Sequence, residues 1–270
     1  MTEITSPANP RVKALVRLRN RRERDREKRF LVEGYRELTR ALDARVPIEE
    51  LYVCPDLFLG TNEPELVERA RAAGADPVTV SDEAFRKASY RDRPEGLLAV
   101  ARQFPTSLDR LDLTGAPLVL VAEAIEKPGN LGTMLRTADA AGVAGVIVAD
   151  PTTDPFNPNV VRASLGTLFL VPLAIASTEE AIAALRTAGI TIMAATPDAT
   201  IPHHDVDMTG PVAIAVGSEQ YGLTGTWLEA ADERILIRMP GSVDSLNAAM
   251  AAGILLFEAV RQRDSYPPTP

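Results

Sequence analysis

An α/β fold in two parts follows from three features of the chain. Short apolar runs alternate with helical patterns, 46% of the 270 residues are hydrophobic, and the pattern changes character beyond about residue 105. Up to that point short strands and helices alternate, as in a compact α/β domain. Beyond it the strand candidates are almost wholly apolar, which suits a parallel sheet covered on both faces. The predicted organisation is a first domain over 1–104, a linker over 105–116 and a second domain over 117–270.

In the first domain, Pro10 suits an opening helical turn, and Val12, Leu15, Val16 and Leu18 form one apolar stripe. The stretch 17–29, still within a helical reading, is dense in arginine and nearly free of apolar residues. Phe30, Leu31 and Val32 read as a short strand that passes through Gly34 into a helix carrying Leu38, Ala41 and Leu42. Residues 51–54 form a buried-strand candidate, 64–73 a helix and 77–80 a strand. Ser81 has the position of an N-cap for a helix containing Phe85, and 97–100 reads as a last strand.

In the second domain the strand candidates are 118–122, 145–149, 168–171, 191–194, 212–216 and 235–237, with helices between most of them. A long alanine-rich helix is predicted over 246–263. The tail 265–270 is expected to fray.

Composition excludes several classes. No apolar run approaches the roughly 18–20 residues of a membrane span, and the polar start has no signal-peptide apolar core. A cytoplasmic protein without a membrane partner is expected. A single cysteine, Cys54, excludes an internal disulfide framework and a Cys-rich zinc site. The His203-His204 pair sits in a Pro/Asp/Thr-rich loop without metal-ligand spacing, so no metal is expected.

The formal net charge of −8 argues at first against a polyanionic partner. The total hides an asymmetry. Residues 1–105 hold 20 Lys/Arg against 18 Asp/Glu, and residues 106–270 hold 9 against 19. Residues 1–29 alone carry 10 basic and 4 acidic side chains, which leaves a nucleic acid open as partner. Arg17, Arg21, Arg22, Arg24, Arg26 and Arg29 are the candidates for phosphate contact, and a solvated helix face is the alternative.

Three polar, glycine-bearing loops each follow a strand of the second domain. The first runs from Glu123 to Arg136 through Pro128-Gly129-Asn130-Leu131-Gly132. A dinucleotide site would need G-x-G-x-x-G, and only Gly129-x-x-Gly132 is present; the phosphate-loop pattern is absent too. A plain helix start, with Asn130 as cap and Leu131 and Leu135 packed inward, reads equally well. The second loop is Gly217-Ser218-Glu219 to Gly222, where the carboxylate would stand at the carboxyl end of a parallel strand, or simply be exposed. The third is Met239-Pro240-Gly241 to Ser245-Leu246-Asn247, where Ser245 or Asn247 could cap the final helix. No G-x-S-x-G elbow is present.

Together, Asn130-Leu-Gly-x-x-x-Arg136, Gly217-Ser-Glu219 and Ile237-x-Met-Pro-Gly-Ser-x-x-Ser245-Leu-Asn247 resemble the SpoU/TrmH family of RNA ribose 2′-O-methyltransferases, within the SPOUT superfamily. The likeness covers about 117–263. Residues 5–100, with Phe30-Leu-Val-Glu-Gly34, resemble the family's N-terminal RNA substrate-binding module, a ribosomal-protein-like α/β/α sandwich.

The resemblance implies a parallel-sheet catalytic domain with a deep trefoil knot, an exception to unknotted topology. It implies S-adenosyl-L-methionine as cofactor, in a pocket that Thr196, Gly217, Ile237, Met239 and Leu246 would line. It implies a homodimer whose active site is completed across the two-fold interface. The catalytic group would be Asn130, Arg136, Glu219, Ser245 and Asn247, with Arg136 as general base. A free guanidinium has a pKa above about 12, so orienting the target phosphate is its alternative role. The family's tRNA enzymes usually carry short helical extensions, so the N-terminal module favours ribosomal RNA, most of all 23S rRNA. A tRNA enzyme and a non-catalytic RNA-binding protein on the same fold are the alternatives.

Overall fold

Helix α1 (Pro10–Arg17) starts where Pro10 sets the first turn and Asn9 accepts the Arg11 N–H. The arginine-rich stretch does not continue it. Asn20 caps a separate helix, α2 (Arg21–Glu27), which ends at Lys28 in the left-handed region. Strand β1 (Arg29–Glu33) then turns through Gly34 into α3 (Tyr35–Asp43). Gly34 has φ +108°, and a Cβ there would lie 2.5 Å from Glu37 Oε2 and 2.6 Å from Arg91, so this turn admits only glycine.

Next come β2 (Ile48–Val53), α4 (Glu63–Ala72), β3 (Asp76–Thr79), α5 (Asp82–Ala88) and β4 (Leu97–Arg102). Ser81 accepts the Ala84 N–H and caps α5. The four strands lie in the order β1-β4-β2-β3, with β4 antiparallel to both neighbours and β2 parallel to β3. Leu31, Tyr52, Val78 and Leu98 on the sheet pack with Val12 and Leu15 of α1 and Phe85 of α5.

The second sheet is built from β5 (Leu118–Glu123), β6 (Gly145–Ala149), β7 (Leu173–Ala176), β8 (Thr191–Ala195), β9 (Ile201–Pro202), β10 (Val212–Val216) and β11 (Glu233–Leu236). Helices α6 (Pro128–Ala140), α8 (Thr178–Thr187), α9 (Gly225–Ala230) and α10 (Ala248–Asp264) connect or follow them, while α7 (Pro158–Ala163) lies between β6 and β7 in the chain. All seven strands are parallel, in the order β7-β6-β5-β10-β8-β11-β9. Every residue of β5, β6 and β10 is buried, as the unbroken apolar runs predict.

This computed structural model describes residues 3–264, so the tail over 265–270 lies outside them. The described chain forms two units. One holds residues up to Pro105 together with Asp154–Leu170, and the other holds Thr106–Thr153 and the chain from Val171 onward. Among the described residues no helix is long and apolar enough to cross a membrane.

The segment Asp154–Leu170 departs from the domain boundary read from sequence. Phe156 and Phe169 pack with Phe30 and Phe104 at ring-centroid distances of 5.0–6.4 Å, all within the N-terminal unit. For the same reason the predicted strand 168–171 is not one. Thr167–Phe169 is a 3-10 turn whose ring feeds this cluster, and the strand starts only after Pro172. Apolar content alone does not separate a strand from a core turn.

Arg24 corrects a second expectation. Placed among the phosphate-contacting arginines by sequence, it is only 1% exposed and cannot reach a nucleic acid. Its Nε and one terminal nitrogen donate to Asp154 Oδ2 at 2.9 and 2.6 Å, and the other donates to the Leu18 and Arg19 carbonyls. The pair fastens 154–170 to α2, and Asp154 Oδ1 also accepts the Phe156 N–H. Removing one member leaves a buried unpaired charge, at a cost of about 3–5 kcal/mol. Arg24→Ala should therefore lower unfolding free energy by about that amount in chemical denaturation. The double variant Arg24→Met/Asp154→Leu should recover most of the loss.

Candidate functional site

Parallel strands present their carboxyl ends along one edge, where open α/β sheets place ligands. Three connections of the C-terminal unit meet there: the one after β5, the one after β10 and the one after β11. Glu219 joins them. Its carboxylate accepts the Glu126 N–H at 3.1 Å, the Lys127 N–H at 3.4 Å and an N–H of the Asn130 side chain. Asn130 Oδ1 in turn accepts from Asn247 Nδ2 at 3.0 Å. Asn247 Oδ1 accepts the Ala249 and Met250 N–H groups and so caps α10. Asn130 itself is no cap, because α6 starts earlier, at Pro128.

Partial burial pushes the Glu219 carboxyl up. Hydrogen bonds from the Glu126 N–H, its own backbone N–H, Asn130 and the Lys127 N–H outweigh this and hold it below the ordinary value of 4.5. The site therefore keeps a fixed negative charge at neutral pH.

The β10 connection closes on itself. Ser218 and Gly222 exchange two backbone hydrogen bonds, and the Tyr221 N–H donates to Ser218 Oγ. Any Cβ on Gly217 would lie 2.0 Å from the Gly222 carbonyl carbon, so two backbone segments touch here. Behind the loop, buried Glu123 at the end of β5 accepts the Thr224 N–H and hydroxyl at 2.8 and 2.7 Å and the Thr178 hydroxyl at 3.4 Å. Trp227 Nε1 donates to Thr178 Oγ1, closing this internal network.

A cleft of about 370 Å³ opens over these loops. Thr196, Gly217, Ile237, Met239 and Leu246 all line it, as do Glu219 and Ser245. Asn130 and Asn247 adjoin it through Glu219 and each other. Arg136 lies exposed on α6, and it has no hydrogen-bond or ion-pair partner among the described residues. Sequence reasoning assigned no part to Glu123, nor to the Glu126 and Lys127 amides, which act through backbone groups that residue type does not reveal. Among the described residues no three His, Cys, Asp or Glu side chains cluster as metal ligands.

The alanine-rich character of α10 has a packing cause. Ala248, Ala249, Ala252 and Ala259 are buried, and a Cβ on Gly253 would stand 3.6 Å from Thr137 of α6. Small side chains let α10 lie close along α6 and across β5 and β10.

In the N-terminal unit the remaining candidate arginines are mostly paired. Arg17 stands 4.0 Å from Glu23, Arg21 3.6 Å from Asp25, and Arg29 2.6 Å from Glu49. Arg26 bridges Glu23 and Glu27, and the exposed Arg22 guanidinium alone of the set has no partner among the described residues. Exposed pairs of this kind are weak and open readily to a competing phosphate.

The SpoU rRNA Methylase family model matches residues 117–257, and the MRM3-like substrate binding domain model matches 9–99. The chain is 30% identical over 257 residues to the 23S rRNA (guanosine(2553)-2′-O)-methyltransferase RlmP of Bacillus subtilis, covering 95% of this chain and 98% of that one. An AdoMet-bound rRNA methyltransferase structure from Sinorhizobium meliloti matches with TM-score 0.88 and 33% identity, over 96% of this chain and 97% of that one. A crystal structure of an RNA 2′-O ribose methyltransferase matches with TM-score 0.84 and 42% identity, over 97% and 99%.

A depressed carboxyl pKa contributes stability above its ordinary value, and the contribution is lost as the pH falls through the lower folded value. Glu219→Gln should thus be less stable than the wild type at neutral pH, and the gap should close as the pH drops below 4.5. Denaturation at a series of pH values reads this directly. A gap that stays constant into acid would show that the charge of Glu219 has no such role.

Proposed function

The chain belongs to the SpoU rRNA methylase family, and from that premise we propose that it transfers a methyl group from S-adenosyl-L-methionine to a ribose 2′-hydroxyl of 23S ribosomal RNA. The observation that carries this reading is the cleft at the carboxyl edge of the parallel sheet, with the Glu219-Asn130-Asn247 chain of hydrogen bonds at its side. We infer a cytoplasmic protein as part of the same reading, since ribosomal RNA is its substrate there.

The residues present fit the cofactor. The cleft volume lies in the range of roughly 300–1,000 Å³ usual for small-molecule sites. Leu223, Leu228, Ile235, Ile237, Met239 and Leu246 offer apolar surface for a flat base, and the touching Gly217 and Gly222 backbones leave a close backbone wall. When bound, S-adenosyl-L-methionine supplies an electrophilic methyl on a cationic sulfur. Glu219 holds a negative charge at the cleft that favours such a cation.

A ribose hydroxyl is a weak nucleophile, so the chain must orient it and help remove its proton. Asn130, Glu219, Ser245 and Asn247 position the ribose and the first turn of α6. Arg136, exposed and without a partner among the described residues, takes the hydroxyl or the adjoining phosphate. A guanidinium stays protonated under ordinary conditions, which favours orienting the phosphate over abstracting the proton.

The finer features of the fold belong to this proposal too. A trefoil knot is supported by the sheet order: β10 lies between β5 and β8, β11 beyond β8, and α10 returns to pack on α6, β5 and β10. A homodimer is supported by Met250, Ile254 and Phe257, which recur at helical spacing on α10 and are 61%, 38% and 49% exposed. Arg136, lacking any partner among the described residues, suits a site completed by a second copy.

Incubation with the methyl donor and 23S rRNA should yield a 2′-O-methyl mark in ribose-methylation mapping; methyl on a base, or none, would refute the reading. Arg136→Ala should lower turnover about 10²–10⁴-fold with donor binding unchanged in calorimetry. Phe257→Glu should shift the protein to monomer in sedimentation and remove methyl transfer while leaving it folded.

A further inference from the structure

The N-terminal unit contains a second cavity, of about 420 Å³, distinct from the methyl-transfer cleft in residues and in chemistry. It is lined by the start of α3, the loop before α4, the loop before β4 and Leu165. Except for Leu165, its lining falls within residues 9–99, the span of the substrate-binding match.

The walls are polar and pre-set. Arg91 donates to Glu37 Oε1 and the Glu33 carbonyl at 2.5 Å and to Glu95 Oε1 at 2.7 Å. Glu95 Oε2 accepts the Tyr35 N–H at 3.3 Å. Glu63, 5% exposed, accepts the Leu59 and Gly60 N–H groups on Oε1, and its Oε2 has no hydrogen-bond partner among the described residues. Arg91 Nε likewise has none. Buried polar atoms are rarely left so, and each marks a site where a donor or acceptor is wanting.

The rim adds apolar surface. Leu59 is 77% exposed on this cavity, and Tyr35 lines it as well. An aromatic ring and an exposed aliphatic side chain over a polar floor are what an unstacked nucleobase requires.

The charge chooses among RNA groups. Glu37, Glu63 and Glu95 outnumber the cations Arg36 and Arg91 on the lining, so a phosphate is repelled. Glu63 Oε2 can accept one N–H and the neighbouring Glu95 carboxylate a second, and the Watson–Crick edge of guanine is the one base edge that presents two adjacent donors, N1–H and N2–H. Its O6 then accepts from a neighbouring guanidinium or amide, as Arg91 or Asn62 can supply.

We propose that this cavity binds an unpaired guanine base of the RNA substrate, held between Tyr35 and Leu59 and read by Glu63, Glu95 and Arg91. The inference rests on the reading of the chain as an rRNA methyltransferase and adds to it a recognition site outside the cleft.

The test titrates the intact protein with guanosine, adenosine, cytidine and uridine, without methyl donor, and follows amide and methyl resonances by NMR. Guanosine should shift resonances of the 35, 59–63 and 91–95 segments and bind at least about tenfold more tightly than the other three. Leu59→Ala, at an exposed position, and Glu63→Gln should each weaken guanosine and raise the KM for rRNA about tenfold, with kcat and donor affinity unchanged. Equal response to all four nucleosides, or shifts confined to the C-terminal unit, would overturn the proposal. So would an unaltered rRNA KM in Leu59→Ala. Absence of any rRNA methylation by the wild type would defeat the enzymatic reading instead, and guanosine binding would still decide the cavity.

Discussion

The site depends on one carboxylate that must find donors. Glu219 sits half-buried at the carboxyl edge of a parallel sheet, where its charge is costly unless hydrogen-bonded. Its partners come from the connection after β5, and through Asn130 and Asn247 the network reaches the start of α10. Satisfying that charge brings three loops, far apart in sequence, to one place. Glu123 performs the matching task from below: its buried oxygens hold Thr224 and Thr178, so the loop bearing Glu219 is anchored at its far end. Hydrogen bonds to charged groups are roughly twice as strong as neutral ones, which suits both to a positioning role.

The packing beneath has the same logic. A cleft formed largely by backbone needs close approaches, and glycine and alanine stand where those approaches occur. Gly217 admits the Gly222 backbone, and the buried alanines of α10 admit α6. Larger side chains at these positions would separate the elements that form the walls. The alanine content of the last helix is thus a requirement of interhelical distance, not of helix propensity alone.

Charge proved harder to read than apolar pattern. The basic surplus of residues 1–29 suggests a phosphate-binding stripe, yet much of it is met by carboxylates within the same unit. Arg24 is an internal clamp on Asp154, and Arg17, Arg21, Arg26 and Arg29 stand beside acids. Net charge over a segment counts side chains without their partners, and partners across 20 or 130 residues are invisible to it. Burial within the fold turned one arginine from a candidate ligand group into a structural one.

Much was legible from the chain alone. Most strand runs, the Ser81 cap, the choice of Ser245 or Asn247 as cap of the last helix, and the three polar loops follow from local rules of periodicity, capping and strand ends, which act within a few residues. The residues lining the cleft could be named because the three loops resemble the motifs of a known family, and they meet because strand ends in one parallel sheet share an edge. Tertiary structure decided what depends on distant partners: the return of Asp154–Leu170 to the N-terminal unit, the burial of Arg24, and the bracing role of Glu123. It also gathered residues 35, 59–63, 91–95 and 165 around one cavity that no local pattern announces. The physical reason is common to all of these. Hydrogen bonding and burial are settled by proximity in space, and only the folded chain brings those groups within reach.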